Sequence, residues 1–374
     1  MDAPPHQMLP PLTPPQIAAF KRDGVLVLPR VLDPTRCEAI VAGMWRTVGT
    51  ELPRMRRDSP GSWFVTEAEG ATFTKADGEL DPYFSAALGR LNLKNGAEQR
   101  FLDALVRPCW SIAEQLMGAG TVVWPAGEDE RGMTTGPCFL SDEVVEGLGT
   151  HQGKASHAGL DISDKATADG FDWDGKETPW QWEPALVLPR TGPGWLNAQG
   201  ARGLYVTLPG GLPHEAPYPA GHSDGACYGN VRLQMMAYLQ DVPKNGGAFT
   251  VWPGSHTRIW GEQWAAYEQG ETHTRSRLGK SPRESAPGFA EIQRIKQDTP
   301  PFDTHAPAGS VVFWHTKILH MAGANLTKDH MRVGAIYGFA KTPEALPAEQ
   351  AVRPKEIWED WADCVKIPAG AARL

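Results

Sequence analysis

The chain has 374 residues, with 36 lysines and arginines against 44 aspartates and glutamates. A net charge of −8 argues against a nucleic-acid binder, whose affinity rests on neutralising phosphates. No run approaches the roughly 20 apolar residues of a membrane span, and the start MDAPPHQMLPPLTPPQ lacks the basic and apolar stretches of a signal peptide, so a cytoplasmic protein is expected. Five scattered cysteines with no C-x-x-C pair speak against a disulfide framework or a zinc–thiolate site.

In chain order, Thr13 to Asp23 follows a Thr-Pro-Pro start and spaces Ile17 and Phe20 three apart, which predicts a short amphipathic helix stopped by Gly24. Val25 to Leu28 reads as a strand. Asp33-Pro34 opens a second helix with Ile40, Val41, Met44 and Trp45 at helical spacing, and a third is expected from Glu98 to Met117. Ala126 to Gly200 then holds 13 acidic and 5 basic residues, leaving 31 of each sign for the rest of the chain. This segment is rich in Gly, Asp, Ser and Thr and reads as a long acidic insertion. Trp173, Trp180, Trp182 and Trp195 suggest that part of it packs down as a cover or lid.

Beyond it the texture becomes β-like. Gly203 to Leu208, Val231 to Leu239, Ala248 to Trp252, Gly309 to Trp314 and Arg332 to Phe339 are short runs separated by Pro/Gly-rich turns. Glycine (40) and proline (33) make up a fifth of the chain, which fits many short strands better than a helical bundle. Helices first and antiparallel strands afterwards predict an α+β, mainly β fold with a sandwich or jelly-roll core. The expected organisation is one domain over 1–374: N-terminal helices and first strand over 12–125, the acidic insertion over 126–200, a strand core over 201–341 and a tail over 342–374. That tail has one expected short helix, around Glu356 to Cys364.

Chemistry concentrates in the strand-rich part. Gly221-His222-Ser223-Asp224-Gly225 sets an imidazole and a carboxylate two residues apart, a spacing that puts both on one side of an extended segment. Downstream, Gly309-Ser310-Val311-Val312-Phe313-Trp314-His315 and Ile318-Leu319-His320 bring two further histidines, and Arg332 follows twelve residues after His320. Two histidines and one carboxylate on one face of a metal leave three positions open, the geometry of non-haem Fe(II) oxygenases. A nearby guanidinium would suit the far carboxylate of a chelating keto-acid. The lesser reading of His222 and Asp224 is an ordinary hydrogen-bonded turn pair, and the distal histidine is His315 or His320. Ser255 and His256 read as parts of a structural Pro-Gly-Ser-His turn.

These residues resemble the phytanoyl-CoA dioxygenase-like family of Fe(II)/2-oxoglutarate-dependent oxygenases. The resemblance rests on H-S-D-G at His222 to Gly225, on the run from Asp241 to His256 (DVPKNGGAFTVWPGSH), on the G-S-V-V-F-W-H…L-H…R segment and on the opening L-T-P-P-Q-I-A-A-F-K-R-D-G-V-L-V-L. It implies a double-stranded β-helix (jelly-roll, cupin-like) core with N-terminal buttressing helices. It also implies His222, Asp224 and His320 as Fe(II) ligands, Arg332 as partner of the 2-oxoglutarate C5 carboxylate, and Tyr205 and Thr207 as cosubstrate contacts. The implied reaction consumes O₂ and 2-oxoglutarate, releases succinate and CO₂, and oxidises a small-molecule substrate. Hydroxylation is expected because halogenating relatives lack the carboxylate that Asp224 supplies. Desaturation, cyclisation, epimerisation and a non-catalytic binding role are the alternatives. Two departures stand out: Ala322 occupies a position where many members carry a hydroxyl, and Ser223 stands between the ligands where the founding member has glutamine. The sequence says nothing of the oligomeric state.

Overall fold

The computed structural model describes residues 8–51, 56–63, 90–93, 102–122, 203–207, 221, 223, 231–268, 289–323, 325–341, 356–359 and 361. The acidic segment 126–200 lies outside them, as do His222, Asp224 and the side chains of Tyr205 and Thr207.

Helix α1 (Pro14–Asp23) starts where the sequence signals it. The Gln16 side chain accepts the Thr13 backbone N–H at 2.9 Å, and Pro14 supplies the fixed φ of a first helical residue. Gly24 ends it at φ 75°, its N–H bonded to the Phe20 carbonyl at 2.7 Å. Strand β1 (Val25–Leu28) and helix α2 (Pro34–Glu51) follow, then a 3₁₀ turn at Pro60–Trp63 and strand β2 (Arg90–Leu93). Within the span of the third expected helix, a π-helical turn at Leu102–Val106 leads into α3 (Arg107–Met117).

Strands β3 (Gly203–Thr207), β4 (Val231–Tyr238), β7 (Val311–His315) and β9 (Arg332–Ala340) lie within a residue or two of the expected runs. With β1 and β2 they form a six-stranded antiparallel sheet in the order β1-β7-β4-β9-β3-β2. Strands β5 (Phe249–Val251), β6 (Phe302–Asp303) and β8 (His320–Ala322) form a second sheet, with β5 between β6 and β8. Two helices between β5 and β6, α4 (Ser255–Glu268) and α5 (Phe289–Asp298), were not anticipated. The Pro-Gly-Ser-His run reads locally as a turn, and here it is the entry to α4. What makes it helical is packing: Ile259 and Trp260 of α4 and Ile292 and Ile295 of α5 are buried, and Arg258 ties the two helices through Glu291 and Asp298.

Strands β4, β7 and β9 are covered on both faces, and their alternation sorts side chains into two cores. Leu233, Met235 and Ala237 of β4, Val311 and Phe313 of β7, and Val333, Ala335, Tyr337 and Phe339 of β9 pack with Phe20 of α1, Ile40 and Met44 of α2 and Ile112 and Leu116 of α3. Their neighbours in sequence, Met236, Tyr238, Val312, Trp314 and Ile336, turn the other way and meet Phe249 and Val251 of the smaller sheet. The result is a two-sheet sandwich with a helical layer on the outside of the larger sheet. Among the described residues no helix is long and apolar enough to cross a membrane.

Candidate metal and cosubstrate site

The second core, between the sheets, receives His320. This residue opens β8 opposite Val251, is 6 % exposed, and holds its ring 5.2 Å from Phe249 and 6.2 Å from Trp314. Its Nδ1 lies 3.0 Å from the Ile318 carbonyl oxygen. A carbonyl can only accept, so Nδ1 carries the proton and Nε2 carries the lone pair. Metal-binding histidines are set in this way, one ring nitrogen tied to a carbonyl and the other kept basic.

His315 turns to the opposite side of the larger sheet. Its ring stacks on Trp361 with centroids 5.0 Å apart and meets Trp358 edge-on, and His256 lies 5.6 Å away. Nδ1 of His315 accepts the Lys317 N–H at 3.0 Å, so the proton of the neutral ring is on Nε2. Burial, with the nearby His256 and Lys317, lowers its pKa well below the ordinary histidine value, and burial lowers that of His256 to about 4. Both imidazoles are neutral members of the outer core. The ring partners of His315 thus come from the C-terminal residues Trp358 and Trp361.

Although His222 and Asp224 lie outside the described residues, the residue between them does not. Ser223 is fully buried, and its hydroxyl donates to the Lys317 carbonyl at 2.8 Å, bridging 94 residues of sequence. Gly221 is buried as well, and a Cβ there would come within 3.0 Å of the Trp252 ring and 3.1 Å of Lys296 Cε. Ser223 is therefore tied to a residue three positions before His320. Among the described residues alone no three metal-ligating side chains converge. The donor set that would complete a facial triad with His320 contains the two residues flanking Ser223, and a histidine–carboxylate–histidine set suits Fe(II).

Arg332 starts β9 on the same inner face as Ile336 and is 1 % exposed. Its Nη1 lies 3.2 Å from the Met236 sulfur. Two residues on, Gly334 leaves the space this side chain needs: a Cβ there would stand 3.1 Å from Arg332 Nη1 and 2.9 Å from Met236 Sδ. Tyr238 on the neighbouring strand feels the Arg332 charge, which favours its phenolate, although burial outweighs this and raises its pKa. The phenol is fixed, accepting the Phe249 N–H at 2.9 Å and lying 2.7 Å from Thr304 Oγ1, which donates to the Phe249 carbonyl. A permanent cation this deep suits a carboxylate entering between the sheets. In backbone register Thr207 pairs with Arg332 and Tyr205 with Gly334. Sequence reasoning overlooked Met236, Tyr238 and the spacing role of Gly334; the only local signal was a glycine two residues after the arginine, on its face of the strand.

The two antiparallel sheets thus bury an imidazole protonated on Nδ1 and a guanidinium. The phytanoyl-CoA dioxygenase (PhyH) family model matches residues 161–334, a span that contains His222, Asp224, His320 and Arg332 and begins inside the acidic segment. Over residues 161–334 the chain thus carries a region that matches this family's domain. No curated protein matches the chain. Solved structures similar to it include the non-haem α-ketoglutarate-dependent carbocyclase SnoK from nogalamycin biosynthesis (17 % identity, 88 % of this chain and 84 % of that one, TM-score 0.36). Others are EctD from S. alaskensis with bound Fe (14 %, 92 % and 83 %, 0.39) and AviO1 from Streptomyces viridochromogenes Tue57 (16 %, 89 % and 96 %, 0.35).

Proposed function

We propose that this chain is an Fe(II)/2-oxoglutarate-dependent oxygenase that hydroxylates a small organic molecule. The observation that carries the reading is the state of His320: Nδ1–H committed to the Ile318 carbonyl, the lone pair on Nε2, and the ring buried between the sheets, the side of β9 on which Arg332 lies. His222, Asp224 and His320 would hold the metal, which when loaded with 2-oxoglutarate and O₂ supplies an oxidant while the keto-acid leaves as succinate and CO₂. Arg332 would clamp the C5 carboxylate of 2-oxoglutarate, a charge-assisted pairing strengthened by exclusion of water. Thr207 and Tyr205, at the register positions of Arg332 and Gly334, would line the same cosubstrate. The buried apolar walls Phe249, Trp314 and Val251 keep water from the reacting groups.

The acidic segment 126–200 precedes the metal-binding residues and favours a cationic, zwitterionic or natural-product substrate over an acyl-CoA, whose phosphates would want a basic groove. Its tryptophans suit a lid. The assignment is tested by adding Fe(II) and 2-oxoglutarate anaerobically to the purified protein. A weak visible charge-transfer band is expected, and it should vanish in His320→Ala. Arg332→Ala should keep metal affinity and lose affinity for 2-oxoglutarate by roughly 10- to 100-fold, the worth of a hydrogen bond to a charged group. Parent protein that shows no band and forms no succinate with any substrate of a broad panel would identify a non-catalytic binding module instead.

A further inference from the structure

The four-residue loop that joins β7 to β8 and delivers His320 is pinned at every N–H. Thr316 donates to the Arg232 carbonyl at 3.2 Å, Lys317 to His315 Nδ1 at 3.0 Å, Ile318 to the His315 carbonyl at 3.0 Å, and Leu319 to Ser255 Oγ at 2.8 Å. Its carbonyls are held too: Leu319 accepts from the Trp252 N–H at 3.0 Å, Ile318 from His320 Nδ1, and Lys317 from Ser223. Of these ties, the one from Ser223 is different in kind. It comes from the residue between His222 and Asp224, so it joins the two parts of the chain that the site must bring together.

We propose that Ser223 is a positioning residue that sets the separation of the H-x-D arm from His320. Ser223 is joined through the backbone to both His222 and Asp224, so a tie that fixes its place also limits how far that arm lies from the loop that carries His320. The hydroxyl is buried, and without it the Lys317 carbonyl would lose that partner in a place that water reaches poorly. Ser255, the first residue of α4, holds the same loop by accepting the Leu319 N–H. The proposal rests on the iron reading above and adds to it a residue that touches neither metal nor cosubstrate.

The test uses the full chain and two readouts, Fe(II) affinity by anaerobic titration and the visible band of the Fe(II)–2-oxoglutarate complex. Ser223→Ala should bind Fe(II) roughly 10- to 100-fold more weakly, the usual cost of losing a group behind a metal ligand. Its band should shift, while thermal unfolding of the metal-free protein stays cooperative. Ser223→Thr, which keeps the hydroxyl, should restore both readouts. Ser223→Cys, close in volume but a weaker donor, should fall between and serves in place of the alanine variant if that one does not fold. Parent-like affinity and band in Ser223→Ala, or in Ser223→Cys where the alanine variant does not fold, would overturn the proposal, as would failure of Ser223→Thr to restore them. If His320→Ala binds Fe(II) as well as the parent, the iron reading itself falls, and the two failures are thereby told apart.

Discussion

Gly334 shows how a missing side chain can serve a charge. Its backbone needs no unusual φ, yet any Cβ would press on the Arg332 guanidinium and the Met236 sulfur. Gly334→Ala is therefore expected to displace Arg332 and weaken 2-oxoglutarate binding by at least about 10-fold, leaving Fe(II) affinity unchanged. Titrating 2-oxoglutarate into the Fe(II)-loaded variant measures this, and unaltered affinity would refute it. Gly24 is constrained twice, by a φ of 75° and by His256, whose Nδ1 a Cβ would approach to 2.5 Å. Gly24→Ala should cost more than about 1 kcal/mol of stability, seen as a lower urea midpoint. The two cysteines among the described residues are buried, and burial raises the Cys37 thiol to about 11 and the Cys109 thiol further. Neither should react with an alkylating reagent while the protein stays folded.

At the scale of elements, the short C-terminal turn acts as a clasp. Trp358 and Trp361 pack on each other at 5.0 Å, on Phe20 of α1 at 5.8 Å, and on His315 at the end of β7. Trp361→Ala should cost about 3–5 kcal/mol, the range for removing a buried aromatic ring, and equilibrium denaturation would show it. Strand positions were legible because alternation is a local property of extended backbone: β4, β7 and β9 reveal themselves as short apolar runs between turns. Helices α4 and α5 were not read. Around Pro253 and Gly254 the local signals are those of a turn, and the helix is selected by Trp260 joining the outer core and by the ion pairs from Arg258 to α5. In α5 the buried pair Ile292 and Ile295, three apart, was a usable signal that a short window left ambiguous.

For the whole molecule, acid is the expected weakness. The pKa of His256 is lowered to about 4 by burial, and that of His315 falls well below its ordinary 6.5. An unfolded chain would take up protons on both as pH drops below 6.5, whereas the folded chain refuses them. Stability is thus fully present above about 6.5 and falls as pH descends towards 4, the His256 contribution being on the order of 3 kcal/mol. Urea midpoints measured between pH 7.5 and 4.5 should fall accordingly; a flat profile would contradict the buried, neutral assignment. Charge distribution is the other global property. With 13 acidic and 5 basic residues in 126–200 and balance elsewhere, turnover should favour cationic over matched anionic substrates, and the opposite preference would remove the acidic segment from the substrate's path.

By itself the sequence determined the order of strands, the H-x-D…H…R series and the family resemblance, since strand alternation and ligand spacing are properties of short stretches of chain. It left His315 and His320 on equal terms until the family pattern was applied, because both follow the same apolar run. Tertiary structure separates them physically: sheet pleating sends His315 outward to the tryptophans and His320 into the space between the sheets. Only the fold, too, gives His320 its protonated Nδ1, sinks Arg332 beside Met236 and ties Ser223 to a carbonyl 94 residues away. Contacts of that length depend on how sheets and helices stack, and no window of sequence encodes the stacking.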